Sequence, residues 1–253
     1  MSNQSVARAC QLLSALEEAT SPLTTAELAA IAEFDRTVAH RLLRALHEAG
    51  LVETSGGRYR LGSGSVALAN AYLDRLDVRN VALPFIVNLS ATACADKPWV
   101  VYLSIPVAEA AITIDRIWSN AAPLDTFLGI GTAFKLEQSA AGRSMLAFWS
   151  PERRKALLGE AEPDLVARLD RIKDDGGIEF NHGEHQRGIC GVAAAVVTTH
   201  GDAVASIIVS GPLLEDQLHV NSTLAVQVHR TAESIGRTLT HATQRETRRG
   251  SVS

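Results

Sequence analysis

The sequence predicts an α+β protein in two parts: an N-terminal winged helix-turn-helix and, beyond a helical linker, a larger α+β domain. Three observations predict it. Three helical patterns and a Gly-Gly hairpin follow one another between residues 5 and 61. A hinge-like GSGS at Gly62–Ser65 separates them from a stretch of different character. In that stretch, strand-like runs are bracketed by helical patterns and closed by one long amphipathic segment. The division that results is residues 1–63, a linker helix at 64–79 and a domain at 80–253.

Each element has a local cause. Residues 5–19 read as a helix with Val6, Ala9, Cys10, Leu13 and Leu16 on one face, ended by Ser21-Pro22. Thr24 and Glu27 have capping-box spacing ahead of a short helix that is apolar at Leu28, Ala29, Ile31 and Ala32. Asp35 can cap a third helix running to about Ala49, with Gly50 as its stop. That helix has two faces: an apolar stripe of Val38, Leu42, Ala45, Leu46 and Ala49, and a polar one of Thr37, His40, Arg41 and Arg44. LVETSGGRYRLG then reads as a hairpin of Leu51–Thr54 and Arg58–Leu61. Residues 66–77 and 79–93 read as helices, the first with Val66, Ala69, Leu73 and Leu76 on one side and the second containing Pro84. WVVYLSIPV and AITIDRIW read as strands, and residues 139–149 as a helix opened by Ser139. Short helices fit 151–159 and 163–174, and GICGVAAAVV and AVASIIVSG read as buried strands. A final helix at 216–241 aligns Val220, Leu224, Val228, Ala232, Ile235 and Leu239.

Composition excludes several classes. Of 253 residues, 46% are hydrophobic and 21% charged, too apolar for a disordered chain. Cys10, Cys94 and Cys190 are odd in number and lack CxxC spacing, so neither a disulfide framework nor a thiolate zinc site is expected. That usage suits a reducing cytoplasm. The N-terminus has no apolar core of signal-peptide type, and no run reaches the ~18 apolar residues of a membrane span. The net charge of −4 gives no hint of a nucleic-acid partner. The 24 basic residues, however, are all arginine except Lys97, Lys135, Lys155 and Lys173, and arginine meets phosphate and carboxylate as a planar fork.

Five ordered segments together resemble the IclR family of bacterial transcriptional regulators. SVARACQLLSAL is similar to the family's opening helix, and TTAELA with DRTVAHRLLRALHEAGLVE to its helix-turn-helix. GRYRLG is similar to the return strand of its wing, LEQSAAGRSMLAF to a glycine-containing helix start, and GVAAAVVTTHGDAVASIIVSGP to its strand pair. Asp35 stands where the family often has proline, and Lys135 and Glu137 where it often has proline and histidine. The resemblance implies an operator-binding regulator, expected to be a repressor, with no cofactor and no enzymatic activity. Its second domain is expected to carry a GAF-like sheet that binds a small effector.

A recognition helix needs base- and phosphate-reaching side chains on one face. Thr37, His40, Arg41 and Arg44 form such a face, with Arg36 beside it, and Arg58 and Arg60 on the wing suit phosphate or the minor groove. Thr24 and Thr25 sit at a helix N-terminus, where phosphate is readily held. For a lone helix the same stripe is more simply a solvated face. Residues 1–62 carry six arginines against seven acidic residues, so the module is not basic overall and one copy should bind weakly. A homodimer, or a dimer of dimers, reading paired half-sites of double-stranded DNA follows.

The resemblance places effector contacts at Gly129, Gly131, Thr132 and Ala133, at Asn181, at Cys190 and Gly191, and at Ile208 and Ser210. Backbone amides and Ser210 would hold a carboxylate, and Phe127, Leu128, Phe134 and Ile208 an apolar wall. A small organic acid fits, an aromatic or hydrophobic one better than a very polar one. The plainer roles are a turn residue for Ser210, a small buried residue for Cys190, and core packing for Trp99, Trp118 and Trp149. A metal-binding or small-molecule-converting enzyme on a GAF-like domain is the alternative. His182, Glu184, His185 and Cys190 are close in sequence, but their spacing matches no strong zinc motif, and GxSxG, GxxxxGK[ST] and GxGxxG are missing.

Overall fold

The computed structural model describes residues 4–122, 128–159 and 162–250, with side chains to residue 240. The chain separates into two compact units, residues 1–75 and 76–253.

The first unit contains α1 (Gln4–Glu18), β1 (Leu23–Thr24), α2 (Thr25–Ile31), α3 (Arg36–Glu48), β2 (Val52–Ser55), β3 (Arg58–Leu61) and α4 (Gly64–Leu73). The expected capping box forms: Glu27 N donates to Thr24 Oγ1 at 3.2 Å, and Thr24 N donates to Glu27 Oε2 at 2.7 Å. Asp35 caps α3 by accepting from Thr37 N at 2.7 Å and Val38 N at 3.3 Å. Leu12 and Leu16 of α1, Leu28 of α2, Ala39, Leu43 and Leu46 of α3, and Val52 of β2 form one core.

The expected apolar stripes are rotated. In α3 the buried residues are Ala39, Leu43 and Leu46, while Ala45 and Ala49 are exposed. Alanine buries so little area that several helical registers satisfy the pattern, and the leucines decide among them. In α1 burial centres on Leu12, Ala15 and Leu16, leaving Cys10 exposed and Val6 58% exposed. The wing is a three-stranded sheet, β1-β3-β2, because Leu23 pairs with Tyr59 and Thr24 with Arg58. A two-residue strand has no periodicity to detect. Helix α4 ends at Leu73, so Leu76 lies beyond it, and none of its residues is buried.

The second unit begins with α5 (Asp77–Ala93) and contains β4 (Val100–Val107), β5 (Ala110–Trp118), β6 (Ala133–Lys135), α6 (Ala140–Leu146), α7 (Pro151–Leu158), α8 (Pro163–Asp174), β7 (Ile178–Asn181), β8 (Cys190–Val197), β9 (Ala203–Gly211) and α9 (Thr223–Gly250). The six strands form one antiparallel sheet in the order β6-β5-β4-β9-β8-β7. Helices cover both faces, which is why β4, β8 and β9 read as nearly continuous apolar runs. Strand alternation turns Val192, Ala194 and Val196 toward the face covered by α5 and α9. Ser206, Ile208 and Ser210 point to the opposite face, where Ser144 of α6 meets Ser206 with their hydroxyls 2.9 Å apart. Gly142 lets α6 approach closely, because a side chain there would collide with the Leu136 backbone. The final helix buries Leu224, Val228, Ala232, Ile235 and Leu239, but it starts after Val220.

A buried ionic cluster ties α6, α8 and β7 together. Arg143, with 3% of its side chain exposed, donates to Glu179 Oε1 at 2.6 Å and to Glu184 Oε1 at 3.2 Å. Arg168 joins it, 2.5 Å from Glu179 and 3.5 Å from Glu184.

Candidate functional site

The first unit presents a polar face on α3. Arg36, Thr37, His40, Arg41 and Arg44 are all exposed, and Asp35 at the N-cap sets where the helix begins. Only Arg44 of these is in a described ion pair, with Glu48 at 3.6 Å, both side chains about 70% exposed. Such a pair contributes little and breaks readily for a better partner. The face therefore offers guanidinium and imidazole donors at helical spacing, the geometry that meets base edges in a major groove.

The wing arginines are engaged within the unit. Arg58 donates to the Pro22 carbonyl at 2.9 Å and lies 3.5 Å from Glu27. Arg60 grips Glu53 through Nε at 3.1 Å and Nη2 at 2.9 Å. Hydrogen bonds from Arg60 and from the Ser63 amide hold the Glu53 carboxyl below its usual range. A phosphate would have to displace these exposed carboxylates. Thr24 is committed to the capping box, and Thr25 is buried at 9% exposure, so neither presents a free hydroxyl to a partner.

The second unit holds a cavity between the sheet face under α6 and the loops at the sheet's end. About 480 Å³ of its space is free of atoms, part of it open to solvent. Strand β9 supplies Ile208 and Ser210, β7 supplies Asn181, and β6 supplies Phe134. Tyr102 and Ser104 of β4 and Ala111 and Thr113 of β5 form the rest of the floor. Ser139, Ala140 and Ala141 make a wall, and Leu128 and His185 form the rim, with the His185 ring stacked on Phe134 at a centroid distance of 4.1 Å.

Leu128, Phe134, Asn181, Ile208 and Ser210 thus reach the cavity as the sequence suggested, whereas Phe127 lies outside the described residues. Other expected contacts serve the framework. Gly131 N donates to Thr113 O at 2.8 Å and Thr132 N to Gly129 O at 3.2 Å, so these amides are taken by the turn that prolongs β5–β6 pairing. Ala133 lies in β6 opposite Ile112. Cys190 is buried beside Ser210, its thiol pushed up chiefly by desolvation, and a side chain at Gly191 would press on Ser210. Tyr102, Ser104, Thr113 and His185 were missed as site residues. Ser104 and Thr113 did carry a signal, as hydroxyls inside otherwise apolar strands.

The side chains weighed for metal binding diverge. Glu184 pairs with Arg143 and Arg168, His185 stacks on Phe134, and Cys190 sits in β8. Among the described residues no cluster of three or more His, Cys, Asp or Glu has metal-binding geometry. Among them, too, no helix is long and apolar enough to cross a membrane.

Comparison with known proteins places both units. Residues 5–56 match the IclR helix-turn-helix domain, and residues 70–237 match the bacterial transcriptional regulator IclR C-terminal domain. An HTH-type transcriptional regulator of Mycobacterium tuberculosis is 30% identical over 83% of this chain and 82% of its own. The transcriptional repressor IclR of Escherichia coli is 26% identical over 83% of this chain and 80% of its own. Among solved structures, an IclR homolog from Microbacterium hydrocarbonoxydans complexed with 4-hydroxybenzoate superposes with a TM-score of 0.76 at 20% identity, covering 94% of this chain and all of that one. The chain belongs to the IclR family of transcriptional regulators, with a helix-turn-helix domain for DNA and a C-terminal effector-binding domain.

Proposed function

We infer that this regulator is a repressor whose C-terminal cavity takes a small organic acid, and that occupancy of the cavity changes its affinity for the operator. The observation that carries the reading is the lining of the cavity: hydroxyl, amide and imidazole groups interleaved with apolar walls, with no Asp or Glu among the described lining residues to repel an anion. The stacked rings of Phe134 and His185 favour an aromatic acid. A repressor at 26% identity and a structural relative holding 4-hydroxybenzoate support the same assignment.

On the DNA side, Arg36, Thr37, His40, Arg41 and Arg44 read the operator, and Arg58 and Arg60 turn from their carboxylates to backbone phosphates. Thr24 and Thr25 contribute through the helix start that they build. The protein acts as a homodimer or a dimer of dimers. Exposure of Val66, Leu68 and Tyr72 on α4 supports pairing through that helix, which we assign to a linker at 64–79 between domains 1–63 and 80–253.

The test combines a mobility shift on DNA from the protein's own promoter region with a panel of small acids. Operator affinity falls steeply as salt rises, and at least one acid changes it while raising the unfolding temperature. Failure to bind any upstream fragment, with or without acids, defeats the operator assignment. A panel in which no acid shifts either property defeats the acid assignment.

A further inference from the structure

We propose that the effector's carboxylate is anchored on the hydroxyl cluster Tyr102, Ser104 and Thr113 at the sheet floor, with its aromatic ring against the Phe134–His185 stack. The proposal rests on the acid-binding reading above and moves the anchor away from Asn181 and Ser210. Ser210 has its one donor occupied, and Asn181 is engaged at both ends of its amide. Asn181 Oδ1 accepts from Gly183 N at 3.2 Å and Glu184 N at 3.0 Å, while its Nδ2 donates to Ile189 O at 3.2 Å. Asn181 therefore ties together both ends of the loop that carries His185. Ser210 Oγ donates to Cys190 O at 2.8 Å, so its hydroxyl proton is directed into the framework and its lone pairs face the cavity, the wrong polarity for a carboxylate.

The floor hydroxyls have the right polarity. Tyr102, Ser104 and Thr113 are each at least nine-tenths buried and line the same cavity. Tyr102 accepts a hydrogen bond from Leu128 N at 3.3 Å, which leaves its own O–H to donate elsewhere. Burial raises the phenol's pKa, so the proton stays in place at neutral pH. The Ser104 and Thr113 hydroxyl oxygens are 3.4 Å apart, a contact that uses one of their two protons. Two donors are thus left on the floor of the same cavity, the Tyr102 hydroxyl and one from the Ser104–Thr113 pair. A carboxylate accepts on both oxygens, and hydrogen bonds to a charged group are the strong ones. Arg116 adds positive potential behind the site: its guanidinium donates to the Leu128 carbonyl and acts on the Tyr102 phenol.

The ring wall has its own support. His185 is held over the cavity because the adjacent Glu184 is gripped by Arg143 and Arg168, and because Asn181 fixes the loop's backbone. Glu184 and Arg143 are thus positioning residues, while His185 is a direct contact. A flat ring packs on this stack better than a saturated one of similar volume.

The experiment measures benzoate and cyclohexanecarboxylate binding by calorimetry to the full-length protein and to Y102F, T113V, S210A and H185A. Unliganded melting curves confirm that each variant is folded. Benzoate binds roughly tenfold or more weakly to Y102F and T113V, consistent with losing a hydrogen bond to a charged group, and S210A retains wild-type affinity. The wild type prefers benzoate to cyclohexanecarboxylate, and H185A narrows that preference. Unchanged binding in folded Y102F and T113V, or loss confined to S210A, overturns the anchor while the acid-binding reading stands. No benzoate binding to the wild type overturns the aromatic-acid assignment and this anchor together. The acid-binding reading itself then falls only if the wider acid panel also fails.

Discussion

In the N-terminal unit the charged side chains surround a core of leucine and alanine, and Thr25 is the only polar side chain buried among its described residues. In the C-terminal unit Arg143, Glu179, Asp115, Ser104, Thr113, Ser144 and Ser206 are buried within the fold. The contrast follows from what each unit must contact. A duplex is a surface, so its partner groups stay outside, where exposed ion pairs such as Arg60–Glu53 cost little to form or exchange. A small ligand must be enclosed, so its partner groups lie inside, where each needs a hydrogen bond or an opposite charge to offset desolvation.

The largest test of that contrast is Arg143→Ala. Among the described residues it leaves buried Glu179 with only the partly exposed Arg168 as cation, and stability falls by about 3 kcal/mol or more, measured by urea unfolding of the full chain. A loss near zero means that the cluster is not a buried ionic tie. Arg41→Ala should do the reverse. Operator affinity drops by roughly 1–3 kcal/mol in a titration at fixed salt, with the melting temperature unchanged. A fall in stability with DNA binding intact would place Arg41 in the fold rather than on the partner.

Two smaller effects probe the exposed carboxylates. Glu53→Gln removes the anion that holds Arg60, so operator binding tightens modestly at low salt, and the gain fades as salt rises. If wild type and variant bind alike at every salt concentration, the wing arginine does not reach phosphate. Asp35 has a folded-state pKa lowered by hydrogen bonds from Thr37 and Val38. Its contribution to helix stability is therefore complete above about pH 4 and is lost as pH falls through the depressed folded value. Asparagine caps nearly as well without titrating. Asp35→Asn should leave the neutral-pH melting temperature nearly unchanged and flatten its decline in acid.

The helices, their caps and the exposed arginine face of α3 were legible because they depend on neighbours three or four residues apart. The α1 and α3 stripes were read one register off, since alanine-rich helices have several nearly equivalent faces. Strands β1, β6 and β7 are two to four residues long and owe their existence to a partner strand. At the cavity, Asn181, Ile208 and Ser210 are places that the family resemblance implies, whereas Tyr102 and Thr113 enter through β4 and β5, which come to β9 only by sheet order.

By itself the sequence determined the two-part architecture, the order of the helix-turn-helix and wing, and which arginines stand on the α3 face. All of these are set by local periodicity and capping. Only the tertiary structure decided that the wing arginines are held by Glu27 and Glu53, that Asn181 and Ser210 bond to the framework, and that the Tyr102 and Thr113 hydroxyls share a cavity with His185. Hydrogen-bond capacity is finite, and which partner takes it is settled by residues distant in the chain that the fold brings within 3 Å or so.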